Sequence, residues 1–290
     1  MGLNFNMTRL LIDERARSKA FNNTATLGRQ SMHVSGTRLQ YSLNEYGFHS
    51  VDAHALISGN NGYCEPFLRV LGATTTDSID VSDYERATIL HEMNTPIPEA
   101  LKQRFDTLID SGSLEHIFNF PVAIKNCMEM VREGGRFISI TPANNFFGHG
   151  FYQFSPELFF RVLSPENGFR VDRMIFFEDD YIARWYSVAD PLEVRSRVEI
   201  LNTTPSYLFV VASRVKVVPV FEQPPQQSDY QFQSWNESPV DAEPFKPNPI
   251  LRYIPYGIKK AASSLIATGS KVKIAITGFD RKRKFFKRIK

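Results

Sequence analysis

The sequence predicts an α/β protein built around a parallel sheet. From about residue 51, short apolar runs alternate with longer amphipathic stretches, which is the pattern of repeated strand–helix–strand units. A composition of 42% hydrophobic and 22% charged residues belongs to a globular domain and excludes a wholly disordered or fibrous chain. At 290 residues there is room for one such domain with appendages at both ends.

The expected strands, in order, are 54–58 (HALIS), 75–80, 87–91, 105–110, 136–141, 171–178 and 206–214. Each is a run of five to nine residues rich in apolar or β-branched side chains, flanked by turn-forming residues. Helices are expected at 64–71, 96–103, 119–132 and 155–163. In the third, Val122, Met128 and Val131 form a core-facing stripe, and in the fourth Ser155-Pro156 reads as an N-cap followed by proline at the first helical position.

Outside this region the pattern changes. Residues 1–50 mix polar runs with clusters such as Leu10, Leu11 and Ile12, and read as a lead-in to the domain at 51–215. Residues 216–250 are rich in proline and polar residues, so they read as a linker. Residues 251–290 form a basic tail: from 259 onward there are eleven Lys or Arg against one Asp, which leaves the rest of a +3 chain acidic. Its last segment, 281–290, adds Phe285, Phe286 and Ile289 to the cations, a composition suited to peripheral contact with an anionic membrane and less to nucleic acid.

Two cysteines, Cys64 and Cys127, make no disulfide framework and point to a reducing compartment. With no stretch approaching the roughly 18 apolar residues of a membrane span, a cytoplasmic location is expected. The six histidines, at 33, 49, 54, 91, 116 and 149, show no paired spacing of the kind metal sites use, so no metal is expected.

Three segments carry a more specific signal. Leu71-Gly72-Ala73 leads into the run that ends Ile79-Asp80; Phe105 to His116 reads as a hydrophobic strand, a small-residue turn and Leu114-Glu115-His116; Met130 to Phe137 carries the pair Gly134-Gly135. In this order and spacing they resemble class I S-adenosylmethionine-dependent methyltransferases over residues 51–215. The stretch Asn144 to Glu157 resembles a narrower, uncharacterised group within that class.

The resemblance implies a Rossmann-like, doubly wound sheet of about seven strands with the last antiparallel, and S-adenosylmethionine as cofactor. It puts Asp80 on the cofactor ribose, a task for which the two carboxylate oxygens suit two vicinal hydroxyls. It places Asp110, Glu115 and His116 near the methionine end and the acceptor, Gly59 and Gly62 in the loop that passes the cofactor, and Glu92 with Asn94 beside adenine. That loop departs from the family pattern, because it has two glycines and no acidic residue; Glu65 is the replacement carboxylate. The glycine pair 134–135 is expected to cap a helix.

Methyl transfer to a hydroxyl requires alignment of the acceptor and removal of a proton, a task for a histidine. His116 and His149 are the candidates, with Glu115 as their neighbour. Phe146, Phe147, Phe151, Tyr152 and Phe154 surround His149 in sequence and would wall an acceptor pocket, for a small-molecule or glycan acceptor, sugar or lipid-linked. The alternative is a methyltransferase-like interaction module that has lost catalysis, which the depleted glycine loop favours.

Overall fold

The computed structural model describes residues 2–232, 279–281 and 285–290. Two short strands bracket the entry: β1 (Gly2–Asn4), helix α1 (Phe5–Arg17), β2 (Asn22–Leu27), β3 (Ser31–His33) and α2 (Gly36–Glu45). Next come α3 (Ala53–Ser58), α4 (Glu65–Val70), β4 (Ala73–Asp80), β5 (Ile89–Leu90), β6 (Phe105–Ser111), α5 (Phe120–Met130) and β7 (Val131–Asn144). The chain continues through α6 (Pro156–Val162), β8 (Phe169–Glu178), β9 (Tyr186–Val188), α7 (Pro191–Val194), β10 (Ile200–Asn202) and β11 (Ser206–Arg214). The last described elements are α8 (Ser228–Phe232), β12 (Phe279–Arg281) and β13 (Phe286–Arg288).

Nine strands form one sheet in the order β13-β9-β8-β11-β7-β6-β2-β4-β5. The run from β5 to β7 is parallel, and β11 lies antiparallel between β7 and β8. Chain order reverses at the centre: from β2 the chain moves outward to β4 and β5, then returns to the other side of β2 as β6. The ligand crevice of such a sheet lies outside the carboxyl ends of the strands at that reversal.

Both faces of the sheet are covered. Leu108, Phe137, Phe176 and Val210 point to a core shared with α5 and α6, while the next residues along, Ile109, Ile138, Phe177 and Val211, point to a core shared with α1, α2 and α4. Successive strand residues face opposite sides, so a strand buried on both sides reads as an unbroken apolar run. This is the doubly wound arrangement with an antiparallel strand near its end that the resemblance implies.

Several expected elements differ. HALIS is helix α3, not a strand: Asp52 Oδ1 accepts from the backbone N–H of His54 at 2.9 Å and Ala55 at 3.1 Å and starts the helix. The central strand is β2, inside the supposed lead-in, so the domain begins well before residue 51. Its Thr24 and Thr26 are buried, and their hydroxyls donate to the carbonyls of Phe21 and Gly28, which satisfies polar groups in a strand that reads as hydrophilic. The helix expected at 96–103, interrupted by Pro96 and Pro98, contracts to a 3₁₀ turn, Glu99–Leu101. Gly134 and Gly135 do not cap α5, which ends at Met130. They lie within β7 at an irregularity opposite Phe105–Thr107, where a Cβ on Gly135 would meet the Asp106 carbonyl at 2.9 Å.

The ends of the chain also join the fold. Val220 of the proline-rich segment is buried in the core, and Ser228 donates from both its N–H and its hydroxyl to Glu157. Phe285 and Phe286 are 1% and 2% exposed, and β13 pairs with β9 as an edge strand, so these two phenylalanines belong to the core and not to an interfacial surface. Lys287 and Arg288 remain exposed. Residues 233–278, most of the linker and tail, lie outside the described residues. Among the described residues no helix is long and apolar enough to cross a membrane. Both cysteines are free and buried.

Candidate active site

The chain reversal between β2 and β6 builds the site. β2 ends at Leu27, and Gly28 turns the backbone with φ +64 while its N–H donates to the Ile79 carbonyl of β4. The Leu27 carbonyl accepts from Gln30 Nε2 at 2.6 Å and from Ser113 Oγ at 2.8 Å, which ties the end of β2 to the loop after β6. The loop that faces the crevice is therefore Leu27-Gly28-Arg29-Gln30, not the stretch around Gly59 and Gly62. Its only sequence signal is the β-branched run Thr24-Ala25-Thr26-Leu27 ending at a glycine.

Gly59 and Gly62 lie in an exposed turn after α3, where Asn60 and Asn61 both take left-handed φ values. Asn61 thus holds a tight turn, as its residue type allows, but the turn is not at a strand end. Glu65, at the start of α4, accepts from Arg29 Nε at 2.6 Å and from Asn60 Nδ2 at 2.6 Å. It braces Arg29, whose guanidinium also lies 3.9 Å from the ring centre of Tyr63. Glu65 is near the crevice, with its carboxylate already paired.

Asp80 is the last residue of β4, at the carboxyl edge. One of its oxygens accepts from the Ser82 N–H at 3.1 Å, in its own turn, and the residue is only half-buried. Glu92 follows β5 and folds onto its own loop, accepting from Asn94 N–H and Nδ2 at 2.9 and 2.8 Å; these bonds hold its carboxyl below the ordinary range. Asn94 in turn accepts from the Asn119 N–H.

Asp110 is fully buried and does not face the crevice. Its Oδ1 accepts from the N–H groups of Ser113 and Leu114, and Oδ2 from Ser139 Oγ. Burial pushes its carboxyl up to about 6 against those hydrogen bonds. Its work is to cap the 3₁₀ turn Leu114–His116 and so position the next two side chains.

Glu115 is 1% exposed, with Oε1 3.5 Å from His149 Nε2 and Oε2 buried without a hydrogen-bond partner among the described residues. Burial, and then the Asp110 carboxylate, push its carboxyl up to about 8. The loop carrying His149 is pressed onto it: Phe151 N–H donates to the Glu115 carbonyl at 2.7 Å, and a Cβ on Gly150, at φ +68, would lie 2.7 Å from that oxygen. Gly112, at φ +81, brings the other side close, since a Cβ there would lie 3.3 Å from Oε1. His116 and His149 are exposed, with ring centres 5.0 Å apart; partial burial and His149 lower the His116 imidazole.

The ligand atoms of Glu115, His116 and His149 all lie within 4.8 Å of one another. Residues 33 positions apart in the sequence, His116 and His149, thus meet on two loops. Of the aromatics, Phe154 is core and Phe146 packs against His149 and Tyr207. Phe147, Phe151 and Phe118 are exposed, with Phe118 and Phe151 edge to face.

A central β2, a chain reversal toward β6, an acidic residue closing β4 and antiparallel β11 inserted between β7 and β8 give this protein a Rossmann-like, doubly wound α/β fold. No family model and no curated protein matches the sequence. Among solved structures it is similar to the N-methyltransferase NodS of Bradyrhizobium japonicum in complex with S-adenosylhomocysteine, at 11% identity over 73% of this chain and 87% of that one, with a TM-score of 0.38. A putative S-adenosylmethionine-dependent methyltransferase of Listeria monocytogenes is similar at 12% identity, covering 71% and 97%, TM-score 0.38. A putative methyltransferase of Bacillus halodurans follows at 9%, covering 73% and 100%, TM-score 0.34. The fold assignment rests on the order and direction of the strands.

Proposed function

We propose that the chain is an S-adenosylmethionine-dependent methyltransferase acting on a hydroxyl-type acceptor. The observation that carries this reading is Asp80, a half-buried carboxylate at the end of β4 beside the chain reversal, with one oxygen engaged only by its own turn. The residues present fit the cofactor: Asp80 would hold the ribose hydroxyls, and Gly28 to Gln30 would face the methionine part across from Ser111 to Ser113. When bound, S-adenosylmethionine supplies an electrophilic methyl group. Arg29, fixed by Glu65 and Tyr63, shapes the crevice wall instead of contributing a free charge.

The acceptor end lies at Glu115, His116 and His149. There Glu115 orients His149, and the two imidazoles are the groups within reach to receive the acceptor's proton. Exposed Phe118, Phe147 and Phe151 beside them suit the apolar face of a sugar ring, which supports a glycan or similar acceptor. Calorimetric titration with S-adenosylmethionine and S-adenosylhomocysteine tests the reading. Saturable binding that is lost in Asp80→Ala is expected; no binding at millimolar ligand would favour the interaction module.

A further inference from the structure

We propose that Glu115, His116 and His149 form a site for one divalent first-row transition-metal ion, open toward the acceptor side of the crevice. The proposal rests on the reading of this region as the acceptor end, and it replaces a bare imidazole pair with a cation that draws in an acceptor oxygen.

Three independent features point there. The first is geometry: Glu115 Oε1 and His149 Nε2 are 3.5 Å apart, close to the separation of two ligands that each sit about 2.0–2.2 Å from one ion. The third ligand atom falls within 4.8 Å of both, and His116 and His149 are exposed. The second is an unmet polar demand. Glu115 is 1% exposed and its Oε2 has no hydrogen-bond partner among the described residues. A buried carboxylate oxygen left in this state costs about 1–3 kcal/mol or more unless something cationic or protonated satisfies it.

The third feature is the investment of backbone. Two glycines at positive φ, Gly112 and Gly150, allow the chain to close on Glu115 from both sides, where a side chain at 150 would collide with the Glu115 carbonyl. The close approach at Gly150 seats the loop that carries His149 against Glu115.

The donor set decides the class of ion. Two imidazoles and one carboxylate suit iron(II), cobalt(II), nickel(II), zinc or manganese(II), whereas magnesium and calcium favour oxygen-only sites. Three protein ligands leave coordination positions free, as in sites that act on a substrate and unlike closed four-ligand structural sites. A cation there polarises an oxygen of the acceptor.

The test uses the full chain after chelation and buffer exchange, titrated with cobalt(II) by calorimetry and visible absorption. One equivalent should bind saturably and develop d–d bands, with affinity falling on the order of 100-fold in Glu115→Gln and in His149→Ala. His49→Ala, at an exposed histidine outside the cluster, should bind as the parent does. S-adenosylhomocysteine is titrated into the same samples, so loss of the metal site and failure of the cofactor reading are read separately. His149 lies on an exposed loop, which keeps the test valid even if Glu115→Gln fails to fold. The proposal is overturned if no saturable binding occurs, or if both variants bind cobalt(II) as the parent does.

Discussion

Two groups of buried carboxylates in this molecule are handled in opposite ways. On α1, Asp13 and Glu14 lie under the sheet with every oxygen engaged: Asp13 accepts from Tyr46, Arg17 and Arg173, and Glu14 from Arg173 and Arg136. After β6, Glu115 is as deeply buried, yet one oxygen meets only an exposed histidine at 3.5 Å and the other meets nothing among the described residues. The paired cluster stitches α1 to β7 and β8. The unpaired one resists ionisation beside a ligand crevice, and perturbed groups in such places are candidates for chemistry.

The paired cluster depends most on Arg173. Arg173→Ala strips two buried carboxylates of a shared partner and should cost about 3–5 kcal/mol in urea unfolding. Burial opposes ionisation of Asp13, but Arg173 and the hydrogen bonds from Tyr46 and Arg17 outweigh it and hold its carboxyl low. Because the folded value is below the unfolded one, this stability is present above the ordinary carboxylate range and is lost as pH falls through the lowered value. In the variant the loss should begin at higher pH, which stability measured from pH 3 to 7 will show.

Gly150→Ala should come next, at about 1–2 kcal/mol for a left-handed side chain, together with displacement of His149 and loss of cobalt(II) affinity. Asp110 sharpens the contrast through pH. Its folded value, raised to about 6 by burial, means that its contribution is fully present below the unfolded value and is lost as pH rises through 6. Asp110→Asn keeps an acceptor for the turn and should remove that decline, with a gain on the order of 1 kcal/mol at pH 8. Glu115→Gln should have the smallest effect on stability, below about 1 kcal/mol, because it breaks no satisfied pair. A large loss there would mean that Glu115 is structural.

The same contrast explains what could be read in the sequence. β11 appears at 206–214 as expected, and β4, β6, β7 and β8 contain their expected runs, since strands buried on both faces are continuously apolar or β-branched. The placement of Asp80 at the end of β4 and of Glu115-His116 after β6 was legible because they follow such runs. β2 was not: Asn22, Asn23 and two threonines mask a central strand whose hydroxyls are satisfied by carbonyls that only the fold supplies. With β2 unseen, the glycines at 59 and 62 took the place of Gly28. The meeting of His149 with Glu115 was equally hidden, because it depends on a loop closing over β6 and not on spacing along the chain. Phe285 and Phe286 read as a surface because their neighbours are cations, although their own side chains complete the core.

In the proposed function the carboxyl ends of β2, β4 and β6 hold an adenosyl cofactor with its reactive end toward Glu115 and His149. A crystal structure of the protein with S-adenosylhomocysteine tests it most directly. The ribose hydroxyls are expected on the Asp80 carboxylate, and the sulfur between Gly28 and the Glu115–His149 pair. Ligand bound elsewhere, or with its ribose away from Asp80, would contradict it.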